Sequence, residues 1–166
     1  MNRKREPYPL STLCGLKNNI DTRPDYQRPA VWKLSNKQLL VDTILRGYDI
    51  PKFYWKENNK DNFEVIDGQQ RIRTIWDFHE NKFKLAKDID QIDDEDISNK
   101  YYKDLSINMR KKFDMYLIDI VIVYDVEKDD ETREMFLRLQ NGMPLRAQNK
   151  RHAMVGNMRD FVIKIS

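Results

Sequence analysis

The sequence predicts a mixed α/β domain: a small mixed sheet covered by helices. Three observations lead to it. Short runs rich in Val, Ile, Phe and Tyr alternate with longer stretches whose apolar residues recur at helical spacing. Leu117 to Tyr124 is apolar almost without interruption, as a strand buried on both faces is, and so reads as central in the sheet. Phe63 to Arg71 reads as a buried strand, a glycine turn and the opening of a helix. With no internal repeat and no linker-like tract, residues 1–166 form a single domain.

The elements follow in order. Ser11 caps a short helix over Thr12 to Asn18, and Ile20-Asp21-Thr22 make a short extended piece. Arg23 to Val31 is a loop punctuated by Pro24 and Pro29. Ser35 caps a helix from about Asn36 to Arg46, with Leu39, Leu40, Thr43 and Ile44 as its buried stripe and Gly47 as its stop. Pro51 introduces a strand from Lys52 to Glu57. Asn58-Asn59-Lys60-Asp61 turns the chain, so Phe63 to Ile66 returns antiparallel as a hairpin. The helix after Gly68 runs to about Asn81 with Ile72, Ile75 and Trp76 inward. Asp88 to Asp96 is an acidic surface loop with room for a helical turn. Ser106 caps a helix from Ile107 to about Tyr116. Asp129-Asp130-Glu131 then place acids where they favour the dipole of a helix over about Glu131 to Gln140, with Met135, Phe136 and Leu139 inward. After the break at Asn141-Gly142-Met143-Pro144, a last helix starts near Ala147 and is still amphipathic at Ser166. It lacks a stop signal, so the chain is expected to be the front part of a longer protein.

Composition narrows the class. A hydrophobic share of 40% with 18 aromatic residues is that of a folded globular domain. No apolar run approaches the ~20 residues that span a bilayer, so no membrane role is expected. The single cysteine, Cys14, rules out an internal disulfide and fits a cytoplasmic protein. A net charge of +3 is too mild to imply a nucleic-acid partner by itself, and the basic clusters Arg3-Lys4-Arg5, Arg110-Lys111-Lys112 and Lys150-Arg151-His152 read as solvated surface. There is no Walker A sequence, no zinc spacing, and no nucleophile–base grouping with only His79 and His152 available.

The chemistry concentrates at Asp67-Gly68-Gln69-Gln70-Arg71. A helix N-terminus offers free N–H groups and a partial positive charge, and Arg71 adds a forked cation, which together suit a phosphate. Asp67 and Gln70 equally have the D-x-x-Q spacing of a capping box, which any helix can use.

Four blocks in fixed order add to this: Tyr26-Gln27-Arg28-Pro29 with Val31-Trp32; Leu40 to Gly47 leading to Ile50-Pro51; Val65 to Arg71; and Phe136-Leu137-Arg138-Leu139-Gln140 with Gly142, Pro144-Leu145, Arg151 and Ala153. Together they resemble the N-terminal domain of GmrSD-type restriction endonucleases, a bacterial family marked by the DGQQR motif and related to the ParB/sulfiredoxin-like fold. The resemblance implies a nucleoside triphosphate-binding and hydrolysing regulatory domain of a modification-dependent (type IV) restriction or phage-defence protein. It implies Mg²⁺, DNA as a partner of the full-length protein, and a C-terminal nuclease domain or partner subunit. The chain departs from many relatives at Gln140 and Asn149.

On this reading, the backbone N–H groups of Gln69, Gln70 and Arg71 cradle a phosphate. The Arg71 guanidinium grips it bidentately, and Gly68 lets the backbone approach. Asp67 holds Mg²⁺ or orients an attacking water, and Gln70 positions that water or caps the helix. Gln27 and Arg28, in a loop flanked by Tyr26 and Trp32, form a second anion clamp or a base-stacking site, and Arg138 and Arg151 line the pocket from the C-terminal side. Two other classes stay open: a ParB-like DNA-binding module without catalysis, and a nuclease in its own right.

Overall fold

Five strands form one mixed sheet: β1 (Asn2–Pro9), β2 (Ile20–Asp21), β3 (Phe53–Asn59), β4 (Asn62–Asp67) and β5 (Leu117–Tyr124), in the order β1-β5-β3-β4-β2. The computed structural model describes residues 1–22 and 32–140. The described helices are α1 (Leu10–Gly15), α2 (Leu34–Leu45), α3 (Gln69–His79), α4 (Ile107–Met115) and α5 (Asp129–Gln140). None of them is long and apolar enough to cross a membrane.

The predicted hairpin forms: β3 and β4 pair antiparallel, with Asp61 at φ 66 in the turn between them. β5 lies between β1 and β3, parallel to β3, as its apolar run requires. Strand alternation then divides the sheet into two faces. Trp55, Phe63, Val65, Ile118, Ile120 and Ile122 share one face and join Leu10, Leu13, Leu40, Ile44, Ile72, Ile75 and Phe113 of the first four helices in the main core. Val121 and Val123 face the other way, on the side of α5, where Lys56 pairs with Asp129 at 2.7 Å. The fold is therefore three layers, with α1 to α4 on one side of the sheet and α5 on the other.

β1 is absent from the sequence reading, because Arg3-Lys4-Arg5 and two prolines hide a strand. The basic residues are solvated as expected, yet they ride on an edge strand in register with β5 from Asn2↔Tyr124 to Pro9↔Leu117. An edge strand is where charge and proline are tolerated, since one side of the ladder needs no partner.

Three local expectations are corrected. The cap of α1 is Pro9, not Ser11, and α2 begins at Leu34 behind Lys33, so Ser35 lies inside the helix and caps nothing. The buried stripe of α2 is Leu40, Val41, Ile44 and Leu45, while Leu39 is 66% exposed. Packing against α3 and α4 selects the more apolar of two adjacent stripes, and Thr43 turns its hydroxyl to the Leu39 carbonyl instead (2.7 Å). The acidic loop forms no helical turn. It closes through a bridge between Ile92 and Glu95 that sends Ile92 into the core. Ser106 caps α4 as predicted, accepting from the Met109 N–H at 3.2 Å. The expected last helix and the breaking turn before it lie outside the described residues.

Candidate anion site at the glycine turn

Asp67 ends β4 and Gln69 begins α3, so one residue must reverse the chain. Gly68 does so at φ 106, ψ 10, a left-handed conformation that other residues rarely adopt. It is also a contact point. A Cβ built there would lie 2.5 Å from Phe53 Cδ1 and 3.3 Å from Arg71 Nη2. The turn thus rests directly on the buried Phe53 ring at the start of β3.

The capping box does not form. Gly68 is the residue at the cap, with no side chain to offer, and the Asp67 carboxylate meets Arg71 Nη2 at 3.1 Å instead. The reason is geometric: the positive φ at Gly68 sets Asp67 outside the helix end, where a guanidinium competes for it. Arg71 is folded inward. Its Nη1 donates to the Pro51 carbonyl, and its Nη2 also donates to the Lys52 carbonyl at 3.2 Å. Its guanidinium carbon lies 4.3 Å from the Phe53 ring centroid, and the side chain is 11% exposed. Burial pushes the Arg71 pKa down from its ordinary value, and the nearby Asp67 charge opposes that shift.

Gln69 and Gln70 are half-buried at the mouth of the turn. The first helical hydrogen bond runs from Ile72 N–H to the Gly68 carbonyl at 3.0 Å, so the first-turn N–H groups before it point out along the axis. The Gln70 side-chain oxygen accepts from Trp32 N–H (3.4 Å), and Arg73 Nε donates to Thr22 Oγ1 (3.1 Å). Thr22 and Trp32, the described residues on either side of 23–31, are therefore both tied to the first turns of α3. Gln27 and Arg28 lie within 23–31, outside the described residues, as does Arg151.

Arg138 stands apart from the turn. It lies on α5, its side chain 77% exposed and paired with Glu134 at 2.7 Å. It lines a cleft of about 510 Å³ with Met1, Arg3, Val123, Glu131, Glu134, Met135 and Leu139. That cleft is at the β1 edge, three strands from β4, or ~14 Å at the usual strand spacing. Asp67, Gly68, Gln69, Gln70 and Arg71 are brought together, and Arg138 is not brought to them.

Two contributors escaped the sequence reading. Phe53 was legible only as a strand residue, and nothing in its neighbours marks it as the floor of the turn. Arg73 sits two residues after Arg71 and so cannot share its helix face, which left it unnoticed as the partner of Thr22.

Among the described residues no group of three or more His, Cys, Asp or Glu side chains could hold a metal ion. One carboxylate, that of Asp67, borders the turn. Cys14 is no candidate nucleophile: burial pushes its thiol up to about 12.

Residues 10–155 match the family model for the GmrSD restriction endonuclease, N-terminal domain. The chain belongs to this family. Its glycine turn is thus part of a GmrSD N-terminal domain from a restriction or phage-defence protein. No curated protein and no solved structure matches the GmrSD domain described here.

Proposed function

We propose that this GmrSD domain binds a nucleoside triphosphate at the Asp67–Arg71 turn, as the regulatory domain of a modification-dependent restriction system. The observation that carries the reading is the Gly68 turn itself, which leaves no room for a Cβ and opens the N-terminus of α3 directly after Asp67. The partial positive charge at a helix N-terminus favours phosphate oxygens. The Gln69 and Gln70 amides are the donors, and the Arg71 charge behind them adds to the field. Asp67 would hold Mg²⁺ through water, and the ion would supply neutralisation of the phosphate charge. Gln70, whose side-chain oxygen also accepts from Trp32 N–H, would orient a water for hydrolysis.

The test is titration calorimetry of the 166-residue chain with ATP, GTP and CTP, with and without Mg²⁺. Saturable binding by the wild type is expected. It should weaken at least tenfold in Gln70→Ala, and Asp67→Ala should lose its Mg²⁺ dependence. Unchanged binding in both variants would remove the turn from consideration.

One observation favours a second reading, a DNA-binding module. β1 presents Arg3 and Arg5 on one exposed edge, and Arg3 lines the same cleft as Arg138. Affinity for duplex DNA that falls steeply with salt, with a slope lowered by Arg3→Glu, supports it. No binding at low salt sinks it.

A further inference from the structure

We infer that Arg71 is a positioning residue and not an anion ligand: its guanidinium clamps the backbone before β3 to the glycine turn and leaves recognition to the Gln69 and Gln70 amides. The ligand and its Gln69 and Gln70 donors rest on the proposed nucleotide site, whereas the clamp stands on contacts of Arg71 within the chain.

A guanidinium has five N–H donors in a fixed plane. Here Nη1 is committed to the Pro51 carbonyl, and Nη2 is shared between the Lys52 carbonyl (3.2 Å) and Asp67 Oδ2 (3.1 Å). The guanidinium carbon sits over the fully buried Phe53 ring, 4.3 Å from its centroid. Swinging out to grip a phosphate would strip the donor from three acceptors at once and empty the space over Phe53. For a guanidinium whose side chain is only 11% exposed, giving up three hydrogen bonds and the Phe53 contact outweighs one new charge-assisted contact. Kept inward, Arg71 holds three things in register: the chain leaving α2, the floor under Gly68 and the carboxylate of Asp67. It therefore acts on a ligand through the turn.

This differs sharply from a direct contact in one respect. A lysine carries the same charge, and as a point charge it can serve a phosphate. It cannot lie flat on Phe53 or reach three acceptors in one plane. A ligand arginine would thus be partly rescued by lysine, and a clamp would not.

The experiment is nuclear magnetic resonance of the ¹⁵N-labelled full chain, observing the Arg71 Nη–H groups and the Gln69 and Gln70 amides, free and with saturating ATP and Mg²⁺. Separate, exchange-protected Nη–H signals are expected in the free chain. ATP should shift both amides and leave the Arg71 signals in place. Arg71→Lys should bind ATP at least tenfold more weakly and exchange its Gln69 and Gln70 amides faster. Averaged Nη–H signals in the free chain, an ATP shift centred on them, or wild-type affinity in Arg71→Lys would overturn the inference. Should the lysine variant fail to fold, the wild-type spectra decide alone. Should no triphosphate bind the wild type, the nucleotide reading fails, and protection of Nη–H in the free chain still decides the clamp.

Discussion

Arg71 and Arg138 look alike on paper. Each pairs with a carboxylate four residues earlier, Asp67 or Glu134, at 3.1 Å and 2.7 Å. The shorter bridge is the one that matters less. Arg138 is 77% exposed on the surface of α5, whereas Arg71 is 11% exposed and holds two backbone carbonyls besides. Arg46 falls between them. It pairs with Asp42 at 2.8 Å, each side chain is 22% exposed, and its Nη2 donates to the Asp90 carbonyl at 2.9 Å. Spacing is the same in all three pairs. What differs is how much water each has lost and how many backbone acceptors each serves, and those decide the energy.

The comparison can be broken by truncation. Arg71→Ala should be the most damaging change, destabilising by about 4 kcal/mol because it leaves Asp67 and two carbonyls without their donor. Urea unfolding of the full chain measures it, and a loss below about 1 kcal/mol would show that the clamp is weak. Gly68→Ala should follow at about 3 kcal/mol, since it forces a left-handed backbone and drives a methyl group onto Phe53. Its partner test, Gly68→Ala with Phe53→Leu, should recover part of that loss if the clash contributes.

Arg46→Ala should cost about 1 kcal/mol, and Arg138→Ala less than about 0.5 kcal/mol and nothing at high salt. A reversed order of Arg46 and Arg138 in thermal melts would mean that exposure is not the governing variable.

The smallest effect extends the argument to the solvated edge. Glu6 on β1 accepts from the Tyr8 hydroxyl at 2.8 Å and pairs with Lys4, and these contacts hold its carboxyl below the ordinary 4.5. A depressed carboxyl stabilises the fold above its unfolded value, and that contribution disappears as pH falls through the lower folded value. The stability of Glu6→Gln should therefore depend less on pH below about 4.5 than that of the wild type, with the two converging in acid. Equal slopes in acid titrations followed by fluorescence would show that the Tyr8 and Lys4 contacts do not persist in solution.

Much of the fold could be read from residue pattern. The β3–β4 hairpin was legible because Asn58-Asn59-Lys60-Asp61 separates two apolar runs, and β5 was legible as an interior strand because nearly every residue in it is apolar. β1 was illegible because an edge strand needs little apolar surface, so Arg3-Lys4-Arg5 carries no strand signal. The α2 stripe was displaced because two adjacent faces of that helix are both partly apolar, and only packing against α3 and α4 chooses between them.

The same division holds at the candidate site. Periodicity and turn chemistry by themselves determined that a strand meets a helix at Gly68, that the turn needs glycine, and that Asp67, Gln70 and Arg71 gather there. The resemblance to the GmrSD family rested instead on four motif blocks in fixed order, and the family match over residues 10–155 supports it. Which way Arg71 points was decided by tertiary structure alone. Its acceptors are main-chain carbonyls of Pro51 and Lys52, 20 and 19 residues away, and a carbonyl is the same in every residue. A sequence records side chains. It does not record where the backbone oxygens of a distant segment come to rest, and here those oxygens set the conformation of the charge at the centre of the site.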